Sequence, residues 1–257
     1  MLEKIIVCII AGAGAGFGTG LAGLSAAAVI APMLITFLNI NTYEAVGIAL
    51  ASDVLASAAS AYTYKKNGNI DVKNGLIMLV SVLFFTLLGS YIAVFLPQTT
   101  MGDFSVFMTV VMGLKFIFWP VMEARESNRN RSKMMAAAQS LLGGMVVGLI
   151  CGVVGAGGGM MMLMVLVVIL GYELKTAIGT SVFIMAFTAL TGAVSHYIIG
   201  DGISDWLVLI LCVIFTLIFA VITAKFANKA SAVVMNRMLG FGLLVLGIVM
   251  ITVTYII

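Results

Sequence analysis

Apolar residues fall in blocks along this chain, each about as long as a bilayer is thick, with short polar stretches between them. A hydrocarbon core of about 30 Å takes a helix of about 20 residues. Residues 45–64, 75–96, 104–122, 176–199, 206–224 and 238–256 each fit one crossing. Two longer apolar runs, 5–38 and 137–170, do not. At 1.5 Å per residue each gives about 50 Å of helix. Both are interrupted by glycines in their middle, so each predicts a helical hairpin with an even number of crossings. Two short full spans satisfy that requirement, and so does a re-entrant pair of half-helices whose tip is shielded from lipid. The lengths of 26–38 and 160–170, about 16–20 Å as helix, favour tips that meet near the midplane.

The pattern occurs twice. Gly12, Gly16, Gly20, Gly23, Ala45, Gly47, Ala61 and Gly68 align without a gap with Gly144, Gly148, Gly152, Gly155, Ala177, Gly179, Ala193 and Gly200, 132 residues further on. A two-residue insertion then brings Asp71 onto Asp205. Two copies of a glycine-broken apolar unit are the pattern of secondary transporters, whose site lies between the copies. The copies occupy 1–122 and 137–257, joined by a basic linker at 123–136.

Loop charge sets the orientation. Lys65, Lys66 and Lys73 flank one loop, Arg125, Arg129, Arg131 and Lys133 crowd a second, and Lys225, Lys229 and Arg237 mark a third. The loop at 97–103 has no base, and the one at 201–205 is acidic. Positive loops stay cytoplasmic. The loop after 45–64 is then inside, and the loop after its copy, 176–199, is outside. Run 5–38 starts and ends outside; run 137–170 starts inside at Lys133 and returns inside near Lys175. The expected fold is an all-α integral membrane protein of two inverted repeats, each a glycine-broken helical hairpin plus three transmembrane helices.

Composition agrees. Hydrophobic residues make up 63% of the chain and charged ones 9%, with a mean hydropathy of +1.23. A soluble domain carries about 25% charge, so the surface here is lipid, and the expected location is the cytoplasmic membrane, crossed many times. The opening apolar run has no polar exit, which argues against a cleavable signal peptide. The net charge of +3 resides in topogenic loops and gives no basis for nucleic-acid binding. Cys8, Cys151 and Cys212 lie in apolar runs at unrelated spacing, so no disulfide frame or metal site is expected. Met160, Met161 and Met162 are consecutive and point in different directions on a helix, which suits gap-filling better than soft-metal chemistry. No cofactor is expected.

The chemistry concentrates at the two hairpin tips. Gly12, Gly16 and Gly20, like Gly144, Gly148 and Gly152, have the four-residue spacing of closely packed helices. The cluster Gly155-Ala-Gly157-Gly158-Gly159 is too dense for a helix face alone and predicts a ligand-facing loop. A helix that restarts after such a loop presents free N–H groups and a partial positive charge, an anion cradle in low dielectric. The first-copy tip has fewer glycines, Gly20 and Gly23, one hydroxyl, Ser25, and Pro32 on the half-helix after it. A second polar element follows in each copy: Thr180 and Ser181, with Thr188, Thr191 and Ser195 beyond, and Ser52, Asp53, Ser57 and Ser60. Such hydroxyls either donate to an anion or bond their own helix carbonyls. Thr180 and Ser181 are singled out because they are expected to start a helix beside the tip. Asp53 is a mid-span acid that must be protonated, paired or hydrated. It reads as a proton-coupling group or as a structural acid bonded to hydroxyls. Lys115 either snorkels or serves as an anion's charge partner. His196, near an outer end, reads as a satisfied core histidine rather than a proton relay. The candidate solute-binding set is Gly20, Gly23, Ser25, Ser52, Asp53, Ser57, Gly155, Gly157, Gly158, Gly159, Thr180 and Ser181, with no catalytic or metal-binding residue.

The cluster Gly155–Gly159 with its hydrophobic half-helix, then Gly179-Thr180-Ser181, then His196-Tyr-Ile-Ile-Gly200, resembles the second repeat of the sulfite exporter TauE/SafE family. The resemblance covers essentially the whole chain through the repeat. It implies a two-halved permease for sulfur-containing anions such as sulfite and organosulfonates, with Gly155, Gly157, Gly158, Gly159, Thr180 and Ser181 matching the second-half motif. The first half departs from the family pattern: Gly-Thr-Ser has become Gly47-Ile48-Ala49, only Gly20, Gly23 and Pro32 match the tip, and Asp53 is unusual.

The expected function is a secondary transporter, in the export direction, for small sulfur-containing anions held near mid-depth between the tips. The halves would rock to alternate access, with proton or ion coupling left open. A channel or permease for a different small solute or ion is the alternative; no carboxylate ring or His/Cys cluster favours a cation. An enzyme is not expected, since no HExxH, GxSxG or paired-acid motif occurs. The partners are the small anion and the lipid bilayer, with no nucleic acid, and a homodimer stays open.

Overall fold

The computed structural model describes residues 1–93, 107, 110–111, 113–120, 133–154, 158–199 and 204–255. The expected loop at 97–103, most of the span at 104–122, most of the linker at 123–136, and Gly155 and Gly157 lie outside the described residues. Among the described residues the chain is all-helical: α1 Leu2–Ala22, α2 Ala27–Leu38, α3 Thr42–Lys66, α4 Val72–Ala93, α5 Lys133–Val154, α6 Gly158–Met164, α7 Leu174–Ile199, α8 Trp206–Lys229 and α9 Ala232–Tyr255. Residues 113–118 are also helical. A π-helical turn, Val165–Ile169, extends α6. Among the described residues five helices are long and apolar enough to cross a membrane: α1 and α8, and the Glu44–Lys66, Val72–Gly89 and Leu174–Val194 parts of α3, α4 and α7.

The first long run is broken near its middle by a glycine, Gly23, as expected, and a short helix follows it. α1 takes 21 residues, about 31 Å at 1.5 Å each, and α2 takes 12, about 18 Å. The hairpin arms are therefore unequal, and α1 alone has the length of a full crossing. Glycines at 12, 14, 16, 18 and 20 stay helical, and the break waits until Gly23, which adopts φ 64°. The Gly23 N–H bonds the Thr19 carbonyl at 3.0 Å and the Leu24 N–H bonds that of Gly18 at 3.2 Å, the paired bonds of a glycine-closed helix end. α2 runs on through Pro32.

Packing explains why the α1 glycines remain helical. α1 packs along α8, and α5 packs along α4. A Cβ on Gly16 would lie 2.5 Å from the Thr216 carbonyl oxygen and 2.8 Å from Phe219 Cβ. One on Gly12 would lie 2.6 Å from Phe215 Cβ, and one on Gly20 would strike Thr223 and the Ala220 carbonyl. In the second copy, a Cβ on Gly144 would lie 2.6 Å from the Met78 carbonyl oxygen, and one on Gly148 2.6 Å from that of Val82. Backbones approach this closely only where no side chain stands between them. The first helix of each copy is thus seated on the fourth helix of the other.

Local backbone repeats with the 132-residue offset as well. α2 ends at Asn39 with φ 52°, and the extension of α6 ends before Gly171 with φ 65°. The Ile40 N–H bonds the Leu34 carbonyl at 3.3 Å, and the Tyr172 N–H bonds that of Leu166 at 2.9 Å. Asp71 and Asp205 both accept backbone N–H groups at helix starts, from Asn74 at 3.0 Å and from Leu207 and Val208 at 3.1 and 3.2 Å, which is helix capping.

Polar contacts sort to two ends of the bundle. At one end Lys4 pairs with Asp205, and Glu44 accepts the Ser204 N–H at 2.7 Å. At the other, Asn69 donates to the Asn228 side chain at 2.7 Å, Lys175 to the Asn228 carbonyl at 2.9 Å, and Tyr172 to Asp71 at 3.0 Å. The hydrogen bond from Lys4 holds the Asp205 carboxyl below the usual carboxylate range.

Candidate functional site

Four elements meet at the turn between α1 and α2. Thr19 donates its hydroxyl to the Leu24 carbonyl at 2.8 Å and fixes the turn. From α6, Gly159 presses its backbone against it: a Cβ there would lie 2.7 Å from the Gly23 carbonyl oxygen and 2.7 Å from the Ser25 nitrogen. From α7, Ser181 donates to the Gly23 carbonyl at 3.3 Å. From α3, Asp53 receives the Ser25 hydroxyl on Oδ2 and the Ser57 hydroxyl on Oδ1, each at 2.8 Å. The Asp53–Ser57 bond follows from their i, i+4 spacing, which places both on one helix face. Asp53 is 1% exposed and Ser57 fully buried. Gly159 of the second tip therefore touches the first tip, beside the Asp53 carboxylate and the Ser25, Ser57 and Ser181 hydroxyls.

The start of α2 is already satisfied. The Ala26 N–H bonds Asp53, the Ala27 N–H bonds the Ser25 hydroxyl at 3.3 Å, and the Ala28 N–H bonds the Ser25 carbonyl at 3.2 Å. The carboxylate of Asp53 thus occupies the place at this helix start that an anion would take. By the chain's own offset Asp53 aligns with Met185. The sulfur of Met185 lies 3.7 Å from the Ser181 hydroxyl and 2.8 Å from where a Gly159 Cβ would be. Sequence reasoning passed over Met185, although the repeat pointed to it.

Gly23, Ser25, Asp53, Ser57, Gly159 and Ser181 are thus brought together. Gly158 opens α6 beside Gly159. Gly20 is turned to α8, and its carbonyl accepts the Tyr64 hydroxyl at 3.0 Å. Ser52 bonds its own helix at Ile48, at 2.8 Å. Thr180 and Ser181 do not start a helix; α7 begins at Leu174, where the Thr176 hydroxyl bonds the Glu173 carboxylate at 2.8 Å, almost two turns earlier. Two adjacent residues on a helix face different ways, so only Ser181 reaches the tip. Thr180 points to α4 and accepts the Asp71 N–H at 3.1 Å. Thr188 and Thr191 bond carbonyls of their own helix at 3.2 and 3.0 Å. Lys115 lies over the Phe116 ring, 4.7 Å from its centre. The Cys151, Ser195 and His196 side chains lie outside the described residues. A cleft of about 550 Å³ opens between α3 and α8 at the lysine-bearing end, lined by Tyr62, Thr63, Lys66, Asn67 and Lys225 among others.

Apolar helices of membrane-spanning length, gathered round buried backbone turns and hydroxyls, make a multi-pass membrane transporter. The chain belongs to the family Sulfite exporter TauE/SafE, which it matches over residues 8–250. It is similar to the "Probable membrane transporter protein YdhB" of Bacillus subtilis, at 22% identity over 86% of this chain and 89% of that one. It is likewise similar to the "Probable membrane transporter protein YunE" of the same organism, at 23% identity over 79% of this chain and 81% of the relative. A "Probable membrane transporter protein" of Haemophilus influenzae is 25% identical over 79% of this chain and 77% of its own length. The chain is accordingly a transporter and not an enzyme.

Proposed function

We propose that this chain is an inverted-repeat secondary transporter that exports small sulfur-containing anions, sulfite or organosulfonates, across the cytoplasmic membrane by alternating access. The family's name supports the substrate class. Three features of the fold support the inversion. Glu44 at the start of α3 lies with Ser204 beyond the end of α7, while Tyr64 and Asn69 at the end of α3 lie against Gly179 near the start of α7. The close-packed glycines of the two copies meet aligned positions of each other's fourth helix. Lysines 66, 175 and 225 gather at the end opposite the Lys4–Asp205 pair.

The observation that carries the reading is the contact of Gly159 with Gly23 and Ser25. Two side-chain-poor turns bring backbone N–H groups and the Ser25, Ser57 and Ser181 hydroxyls into one buried place. There the proposed solute binds against Gly158 and Gly159 and takes a hydrogen bond from Ser181; Gly155 and Gly157 are proposed as binding residues from the sequence motif. The membrane potential favours efflux of net negative charge by about 2.3 kcal/mol per charge per 100 mV. A permease for a neutral or differently charged solute is the second reading, and the Asp53 carboxylate at the first tip favours it.

Thermal unfolding of the purified protein with sulfite, thiosulfate, sulfoacetate, taurine or sulfate separates the two. A bound anion at about a hundredfold its Kd adds about 2.7 kcal/mol, and Ser181→Ala weakens that ligand about tenfold through loss of one hydrogen bond. No shift with any of the five, together with no anion efflux from proteoliposomes, defeats the anion reading.

A further inference from the structure

We propose that Asp53 is a tethered anion that competes with the solute for the same donors, so that each solute anion binds together with one proton. This rests on the function proposed above and names its coupling ion. The competition is geometric. The Ser25 and Ser57 hydroxyls and the Ala26 N–H, the donors that the first tip could offer an anion, all point at the Asp53 carboxylate. A second negative charge cannot share that place with an ionised Asp53. With a proton, the same side chain becomes a donor, gives up its claim on at least one hydroxyl, and removes the repulsion.

Among the described residues no other acid faces this place; on α3 itself Glu44 lies at the Ser204 end and Tyr64 donates its hydroxyl to the Gly20 carbonyl. Among the described residues, those facing Asp53 are Ser25, the Ala26 backbone and Ser57. The elements packed on α3 are α1, α2, α7 and α8. Their titratable residues are Glu3, Lys4 and Cys8 in α1, none in α2, Lys175, His196 and Tyr197 in α7, and Cys212, Lys225 and Lys229 in α8. α6, which presses on the turn, has none. Lys4 is engaged by Asp205 and Lys175 by the Asn228 carbonyl, at opposite ends of the bundle. Asp53 has no aligned acid, since the second copy carries Met185 there. The proton site is therefore single, and the stoichiometry is one proton per anion. The proton cancels one negative charge, so a monoanion crosses without net charge movement and follows its own and the proton gradient, whereas a dianion carries one charge and is the species whose efflux the membrane potential favours.

The test is proton uptake on anion binding, measured by titration calorimetry in two buffers of different ionisation enthalpy. Isethionate, whose own charge is constant between about pH 5.5 and pH 8.5, is the probe. The wild-type protein takes up about one proton per anion, and its apparent affinity falls about tenfold per pH unit on the alkaline side of the transition. Asp53→Asn, which cannot ionise, takes up none and shows no pH slope. Anion binding without proton uptake in the wild type overturns the inference while leaving the anion transporter standing. Unchanged uptake in Asp53→Asn also overturns it. Should that variant not fold, Ser57→Ala, which strips one donor from the carboxylate, moves the pH transition to higher pH; an unmoved transition overturns the inference. If none of the five sulfur anions nor isethionate binds, it is the proposed function that fails.

Discussion

Alanine at Gly16 adds one methyl group to a helix that ordinarily gains from it. Glycine costs a helix interior about 1 kcal/mol relative to alanine, so an unobstructed Gly→Ala change in α1 is stabilising. At Gly16 the new Cβ would lie 2.5 Å from the Thr216 carbonyl oxygen, 2.8 Å from the Ala220 nitrogen and 2.8 Å from Phe219 Cβ. Two of those atoms are backbone and none can swing away. Restoring an ordinary contact of about 3.4 Å requires α1 and α8 to part by nearly 1 Å along their seam. Overpacking of this kind costs about 1–3 kcal/mol, which outweighs the propensity gain. Gly18 is the internal control: its Cβ would meet only the Leu24 side chain at 3.5 Å, and Gly18→Ala is expected to gain up to about 1 kcal/mol. The propensity gain is common to both, so these two glycines, two residues apart on one helix, differ by the overpacking term, about 1–3 kcal/mol. Gly148→Ala, facing the Val82 carbonyl at 2.6 Å and Phe85 Cβ at 2.9 Å, should match Gly16→Ala. Equilibrium unfolding in detergent measures all three. Equal stability of Gly16→Ala and Gly18→Ala refutes the seam, and a large cost at Gly16 with none at Gly148 refutes the equivalence of the copies.

Gly23→Ala places a methyl group at φ 64° and 3.0 Å from the Ser181 hydroxyl; left-handed backbone costs a non-glycine residue about 1–2 kcal/mol, so the variant should unfold earlier and bind solute more weakly, and full binding would show that the turn is not part of the site. Asp205→Asn tests the capped end. The hydrogen bond from Lys4 holds the Asp205 carboxyl below its ordinary range, so its stabilisation is complete above the unfolded value of about 3.9 and is lost as pH falls through the lower folded value. The variant should therefore be less stable than wild type at neutral pH and equal to it in strong acid. A difference that persists in acid would assign the effect to something other than the charge.

The spans were legible because a lipid core demands length and apolarity, and few other structures meet both. The close packing was legible because a four-residue glycine spacing has one dominant use; which helices it joins, α1 with α8 and α5 with α4, was not. What the chain did not disclose was which glycines break a helix. Gly16 read as a packing position and Gly23 as part of the tip, but Gly20 read as both, and only the structure shows that it stays in α1. Gly16 stays helical because α8 comes within contact of it, whereas Gly23 turns because its N–H and that of Leu24 fold back onto Thr19 and Gly18. Thr180 and Ser181 looked equivalent for a similar reason: the residue at which α7 starts, Leu174, decides which of the pair faces the tip.

The interlocked seams also constrain how a solute could be passed across. α1 belongs to the first copy and rests on α8 of the second; α5 belongs to the second and rests on α4 of the first. Separating the copies as rigid halves would pull Gly12, Gly16 and Gly20 off α8, and Gly144 and Gly148 off α4, along two full-length helix contacts at once. Moving the tips costs far less. Moving α6 breaks the contact of Gly159 with Gly23 and Ser25, whereas moving the first tip also breaks the hydrogen bonds from Ser181 to the Gly23 carbonyl and from Ser25 and the Ala26 N–H to Asp53. The α2 and α6 arms that carry the tips are short, 12 residues and 7 residues plus a π-helical turn of 5. The π turn lacks the regular i to i−4 bonding that stiffens a helix, and such turns recur where a helix must adjust. An alternation carried by the α6 arm against fixed cross-copy pairs would disturb the fewest of these contacts, and Asp53, anchored on α3, would stay in place and hold the proton while the solute moves past it.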